Sequence, residues 1–254
     1  AALAVLKPYQ ERVAGFNKTL VATAPLELCA RRVPGGPGSV DYSRSSAACN
    51  AEGSVALRGG DIQQLVAQAY LEVANAQYGG ADISLQSGGG VRVALQGPVT
   101  AAQAIQVLPF GNMLFRLDVT GAEVQAMLED GLEAVYGPGG STGPYPYTGG
   151  LRFDVNAAAA KGQRVSAIEV RDRTSGAWVP LDAAKTYRLF VLSFNATGGD
   201  GYKTLAAVPA ARRLDIGVLD ADVFFNYVER QPKDAASGLP LLGRLPLELY
   251  STRH

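Results

Sequence analysis

The chain has 254 residues, 23 Lys and Arg against 23 Asp and Glu, 47% hydrophobic residues and 18% charged ones. This describes a globular chain with enough length for a full hydrophobic core, and zero net charge without a Lys/Arg-rich stretch excludes a nucleic-acid-binding surface. The single histidine, His254, is the last residue, which excludes a Ser-His-Asp triad and a His-based metal cage. No apolar run reaches the roughly 18 residues that a helical membrane span needs.

In chain order, Leu3 to about Val13 reads as a short helix, followed by a polar, Gly/Pro-rich stretch through Asn50. Ile62, Leu65, Val66, Ala69 and Val73 then fall on one face of a helix that Asp61 can cap and Gly79-Gly80 ends. Ala81 to Gln86 reads as a strand, running into Ser87-Gly-Gly-Gly-Val-Arg92. Thr100 and Gln103 form a capping box for a brief helix that stops at Pro109-Phe-Gly-Asn112. Met113 to Val119 alternates like a half-buried strand. Thr120 and Glu123 form a second capping box, ahead of the apolar stripe Val124, Met127, Leu128, Leu132 and Val135.

A long Gly/Pro/Tyr-rich loop is expected from Tyr136 to Gly150. Such a loop either binds or moves, and its Pro144-Tyr-Pro-Tyr147 segment either rims a pocket or packs on the sheet. Leu151 to Val155 and Val165 to Arg171 read as strands, with a hairpin turn at Ser175-Gly176 before Trp178. Tyr187 to Phe194 is nearly continuous in apolar residues, as a central strand covered on both faces should be. It enters Asn195-Ala-Thr-Gly-Gly-Asp-Gly-Tyr202. A helix from about Asp220 to Arg230 and a strand near Arg244 to Leu249 close the chain. Elements interleaved without strict alternation read as one α/β (α+β) domain with a mixed sheet packed by helices. Residues 1–60 form its helix-and-loop opening and 61–254 its core.

Cys29 and Cys49 are the only cysteines, and no CxxC or Cys/His cluster suggests zinc. Two buried thiols and one disulfide are the alternatives, and the Gly/Pro/Ser-rich stretch from Val33 to Ser46 between them favours the bridge. Closing a loop of about 20 residues stabilises by roughly 3 kcal/mol. A bridge implies an oxidising compartment, periplasmic or extracellular. The opening Ala-Ala-Leu-Ala-Val-Leu6 is too short and lacks the basic flank of a signal peptide. The absence of an initiator Met reads as a processed product or a fragment.

Two segments place glycines directly after a strand, where they allow positive φ and close approach of a ligand to the backbone. Neither is a P-loop nor a GxGxxG turn. The series SGGGVR, PFGN, a strand into VTGAEV, and FNATGGDGY, with the opening Lys7-Pro-Tyr-Gln10 helix, resembles the C-terminal domain of the 5′-nucleotidase/UDP-sugar hydrolase family. The likeness runs from Asp61 to the C-terminus and is strongest to periplasmic bacterial members.

The resemblance implies a substrate-recognition domain in which Phe110 and Phe194 sandwich the base. Asp200 accepts from the ribose hydroxyls, Arg92 holds the phosphate side, and Gly89 and Gly90 give the ligand access to the backbone. The family's further arginine aligns with Ala56; Arg58 serves if the loop is two residues shorter here. The partners implied are a nucleoside or nucleotide and an N-terminal metallophosphoesterase domain of the same full-length chain. No Asp-x-His, Gly-Asn-His-Glu or His-x-His motif of that domain occurs in the sequence. Its two divalent metals are therefore expected elsewhere, with no catalytic or metal residue, no cofactor and no hydrolysis in this chain alone. The alternative is a stand-alone periplasmic nucleoside- or nucleotide-binding module without catalysis.

Overall fold

The computed structural model describes residues 2–35, 46–51 and 53–253. Residues 36–45, the centre of the stretch expected between the cysteines, and His254 lie outside them. The first helix, α1 (Ala2–Lys18), continues past the expected end at Val13. The polar stretch that follows holds an unexpected strand, β1 (Leu20–Leu28), then two short helices, α2 (Ala47–Ala51) and α3 (Gly53–Arg58). Cys29 and Cys49 are joined by a disulfide, their Cα atoms 5.6 Å apart, and pack with Val55 in a small buried cluster. The bridge ties the end of β1 to α2. Replacing both cysteines by serine is expected to cost about 3 kcal/mol, read as a lower urea midpoint against the oxidised protein.

The chain continues through α4 (Asp61–Gln77), β2 (Ile83–Ser87), β3 (Leu95–Thr100), α5 (Ala101–Val107), β4 (Met113–Thr120) and α6 (Gly121–Tyr136). Both expected capping boxes form: the Thr100 and Thr120 hydroxyls accept from the backbone N–H groups of Gln103 and Glu123, whose side chains reach back to the cap N–H groups. At Asp61 the expectation fails. Gly60 occupies the N-cap position, and Asp61, the first helical residue, aims its carboxylate away from the helix. That carboxylate accepts from the Cys29 N–H at 3.0 Å and from the Tyr250 hydroxyl, and it pairs with Arg244 Nε at 3.0 Å.

The remaining elements are β5 (Pro146–Gly149), β6 (Leu151–Val155), β7 (Val165–Arg171), β8 (Trp178–Pro180), β9 (Thr186–Leu192), α7 (Ser193–Ala196), α8 (Lys203–Ala206), β10 (Arg213–Leu219) and α9 (Asp220–Glu229). The strand expected near Arg244 to Leu249 is absent. Pro246 has no N–H to give a ladder, and Leu247–Leu249 forms a single 3-10 turn instead.

A five-stranded mixed sheet in the order β10-β4-β9-β2-β5 forms the centre, with β9 and β2 parallel and the other pairs antiparallel. Along β9, Phe190 and Leu192 join a core with α4 and α9, while Leu189 and Val191 join a second core with α6. The two-residue period thus sends alternate side chains into opposite layers, and both are buried. Two smaller antiparallel sheets, β1-β3 and β6-β7-β8, flank this centre. Among the described residues no helix is long and apolar enough to cross a membrane.

Glu123 does more than close its capping box. Both of its carboxylate oxygens accept at 2.8 Å from the Arg212 guanidinium. That bidentate pairing, helped by the Thr120 N–H and opposed by partial burial, lowers the carboxyl from 4.5 to about 2. A carboxyl depressed in the folded state stabilises above its unfolded value, and that contribution is lost as pH falls through the folded one. Wild type is expected to lose roughly 1 kcal/mol through this group between pH 4.5 and 2, a modest amount because the pair is partly exposed. Glu123→Gln keeps the capping geometry and should lack this limb in urea melts taken across that range.

Candidate functional site

The sheet register gathers five chain segments at one end. Leu85 lies beside Val191 in the parallel pair, so β2 and β9 finish together. Leu114 opposite Leu192 brings the start of β4 there, Pro146 opposite Ser87 the start of β5, and Met113 opposite Leu219 the end of β10. Residues far apart in the chain therefore meet for a topological reason, at the strand ends where open sheets leave a crevice.

A cavity of about 350 Å³ opens at this end. It is lined by Phe110, Phe194, Arg92 and Asp200, with Gly89 and Gly90 in its wall. Phe110 is 60% exposed and Phe194 46% exposed, which fits neither ring to a core role. Phe194 lies two residues past the end of β9, the strand expected to contain it, in the single turn of α7. The Arg92 guanidinium stands 5.6 Å from the Phe110 ring centroid and donates to the Gly89 carbonyl at 3.1 Å, so it is held at the cavity rim by a ring and a carbonyl.

The glycines act differently from the expectation. None of Gly88, Gly89 and Gly90 has positive φ; they form a 3-10 turn pressed against other backbone. A Cβ on Gly88 would lie 2.6 Å from the Arg32 carbonyl oxygen, and one on Gly89 would lie 2.7 Å from Gly143 Cα. Left-handed backbone occurs instead at Gly198, Asp200 and Gly201, with Asp200 at φ 57°. A non-glycine residue held there is a local strain of the kind found at ligand sites.

The raised carboxyl of Asp200 reflects burial first, opposed by a hydrogen bond from the Ser87 hydroxyl and by the Arg32 guanidinium. Arg32, Ser87, Asn112, Gly143 and Leu192 also line the cavity; none was singled out as a site residue by sequence. Arg58 ends α3 and is not among the lining residues; the second arginine of the cavity is Arg32.

Its position has a visible cause. The Tyr147 hydroxyl donates to the Arg31 carbonyl at 2.5 Å and accepts from the Gly60 N–H at 3.0 Å. Gln63 Oε1 accepts from the Arg31 N–H at 3.2 Å, and the disulfide secures Cys29 just before. The long loop divides its labour: Tyr145 and Tyr147 are buried in the core, β5 joins the sheet, and Gly143 faces the cavity.

A concave site with two exposed rings, two guanidiniums and one carboxylate is the architecture of a small-molecule-binding domain. Residues 39–207 match the family described as 5′-nucleotidase, C-terminal domain, and the chain belongs to that family. A Treponema pallidum protein named "Probable 5′-nucleotidase" is 40% identical over 183 residues, 70% of this chain and 30% of that protein. The NAD 5′-nucleotidase of Haemophilus influenzae is 33% identical over 201 residues, 77% of this chain and 31% of that one. The solved structure of Haemophilus influenzae NAD nucleotidase superposes with a TM-score of 0.72 at 24% identity, covering 95% of this chain and 41% of that one. The chain thus spans under a third of the length of these two curated relatives. Among the described residues no group of three or more His, Cys, Asp or Glu could hold a metal ion, so nothing described here fits a dinuclear centre.

Proposed function

We propose that this chain is the substrate-recognition domain of a 5′-nucleotidase/UDP-sugar hydrolase-like enzyme. It grips a nucleoside or nucleotide for hydrolysis by a separate N-terminal domain that carries two divalent metals. Phe110 and Phe194 stack on the two faces of the base. Asp200 accepts from the ribose hydroxyls, and Arg92 with Arg32 faces the phosphate side, where a planar guanidinium matches phosphate oxygens. Gly89 and Gly90 keep the wall between them thin. The observation that carries this reading is the pair of exposed rings around one cavity with Arg92 and Asp200.

The disulfide supports a periplasmic or extracellular location, since such bridges persist in oxidising compartments. Calorimetric titration of the metal-free chain with adenosine at neutral pH tests the reading. A Kd of about 0.1–1 mM suits a clamp lacking its partner domain, and AMP should release no phosphate when Mn²⁺ or Zn²⁺ is added. No heat up to several times that concentration, or robust metal-dependent hydrolysis, would overturn it.

A further inference from the structure

Arg32 reaches the cavity from a segment that α2 and α3 clasp. The chain leaves β1 after Leu28, the last residue paired with β3, and brings Arg32 to the cavity wall soon afterwards. The Cys29–Cys49 bond fastens α2 to one end of this segment. At the other end Gly35 meets α3, where a Cβ would lie 3.4 Å from the Ala56 carbonyl oxygen. Beyond α3, the Gly60 N–H donates to the same Tyr147 hydroxyl that donates to the Arg31 carbonyl.

Among the described residues this clasp has little apolar hold. Of those in α2 and α3 whose burial is described, only Cys49 and Val55 are buried, and they pack with Cys29 alone. Two members of that cluster are the bridge itself. Helices of five and six residues fall well below the roughly 12 that are even marginal alone in water. The hydrogen bonds from the Ser46 N–H and hydroxyl to Glu27 are exposed. The covalent bond therefore keeps the clasp shut, and its loss falls first on local opening of this unit.

Arg244 sets the direction of cleavage. Its Nη2 lies 3.3 Å from Cys29 Sγ, where a guanidinium stabilises a thiolate, and the stabilised thiolate leaves faster. A dithiol reductant thus attacks Cys49 Sγ, forming a mixed disulfide as Cys29 leaves. Its second thiolate displaces Cys49 and closes the reductant's own disulfide. The dithiol gives up two electrons and two protons, and Cys29 and Cys49 take them as thiols.

We infer that the Cys29–Cys49 bond is a redox gate on the phosphate side of the cleft, acting through Arg32 as a positioning device. Closed, it holds the segment that presents Arg32; opened by a dithiol, it releases that segment and weakens the grip on phosphate-bearing ligands. This rests on the cleft being a nucleotide clamp. Phe110, Phe194 and Asp200 stand on other segments and keep base and ribose, while Arg92 stays on its own ring and carbonyl.

The test titrates oxidised and dithiothreitol-reduced protein with AMP and, separately, with adenosine, counting free thiols by alkylation and mass. Reduction is expected to weaken AMP about tenfold, the order of one hydrogen bond to a charged group, and adenosine by less than about twofold. The adenosine affinity doubles as the measure of an intact fold. Cys29→Ser with Cys49→Ser should match the reduced protein without any reductant. In Arg32→Ala, AMP should already bind weakly, and reduction should weaken it no further. A bridge that served only the fold would weaken both ligands alike. That result, an undiminished loss in Arg32→Ala, or a bridge that dithiothreitol leaves closed would overturn the inference while the clamp stands. If neither ligand binds the oxidised protein, the clamp reading fails and the inference fails with it. Should the double serine variant not fold, reduced wild type decides alone.

Discussion

Phe194→Ala is expected to weaken adenosine binding by roughly 5- to 160-fold while leaving the unfolding midpoint almost unchanged. The first half follows from stacking, where removing one aromatic face costs about 1–3 kcal/mol per base. The second follows from exposure. A ring 46% open to solvent buries little area that the fold can lose, and the neighbouring Gly199 presents only backbone beneath it. A core ring would show the opposite pattern, a large drop in thermal midpoint with no specific change in affinity. Calorimetry and a thermal melt on the same sample separate the two. Phe110→Ala provides the companion case, with one added consequence: Arg92 loses the ring on which its guanidinium rests. An unchanged Kd in Phe194→Ala would remove that ring from the clamp.

The residues that form the cavity were partly legible in the sequence, and the reason lies in strand ends. Glycine-rich turns and aromatic residues at the close of apolar runs mark where a sheet stops, and the register here brings one end of each of the five central strands together. Such stops pointed to the two glycine-rich turns, and the family resemblance then singled out Phe110, Phe194, Arg92, Asp200, Gly89 and Gly90. Arg32 was not among them, because its place depends on contacts far away in sequence: the Tyr147 hydroxyl on Arg31, Gln63 beside it and the disulfide just before. An Arg-Arg pair ahead of Pro34-Gly35 was the only local sign.

The fold shows the same division. The helix α4 announces itself through its period, α5 and α6 through their capping boxes, and β9 through its nearly continuous apolar run. The strands β1, β3 and β10 leave no such signal. β1 carries a proline and an irregular burial pattern, β3 contains Gly97-Pro98, and β10 has a left-handed Gly217 with a register shift before Leu219. Among the described residues β3 and β10 ladder along one edge only, and β1 adds to its pairing with β3 just the bridge between Thr23 and Leu241, so tertiary context rather than a two-residue period decides their state. The end of the chain misled in the reverse direction. Arg244 to Leu249 alternates like a strand, yet Pro246 interrupts it and Arg244 is drawn to the carboxylate of Asp61.

Asp61 therefore carries the largest expected effect on stability. It is 5% exposed, and its carboxylate joins three parts of the chain: the Cys29 N–H at the end of β1, Arg244, and Tyr250 in the final segment. Asp61→Ala would leave the buried Cys29 N–H and Tyr250 hydroxyl without their acceptor and take the countercharge from the part-buried Arg244 guanidinium, which keeps its hydrogen bonds to the Glu27 carbonyl. Breaking a buried ion pair from one side costs about 3–5 kcal/mol, and in a domain of this size that lowers the thermal midpoint by roughly 10 °C. Asp61→Asn should fall between, because an amide oxygen still accepts one hydrogen bond but no longer balances Arg244. A simple helix cap would behave otherwise: its loss costs about 1 kcal/mol, and Asn replaces Asp there almost without effect. The ratio of the two losses, measured by urea unfolding, thus distinguishes a carboxylate that closes the whole chain from one that serves only the first turn of α4.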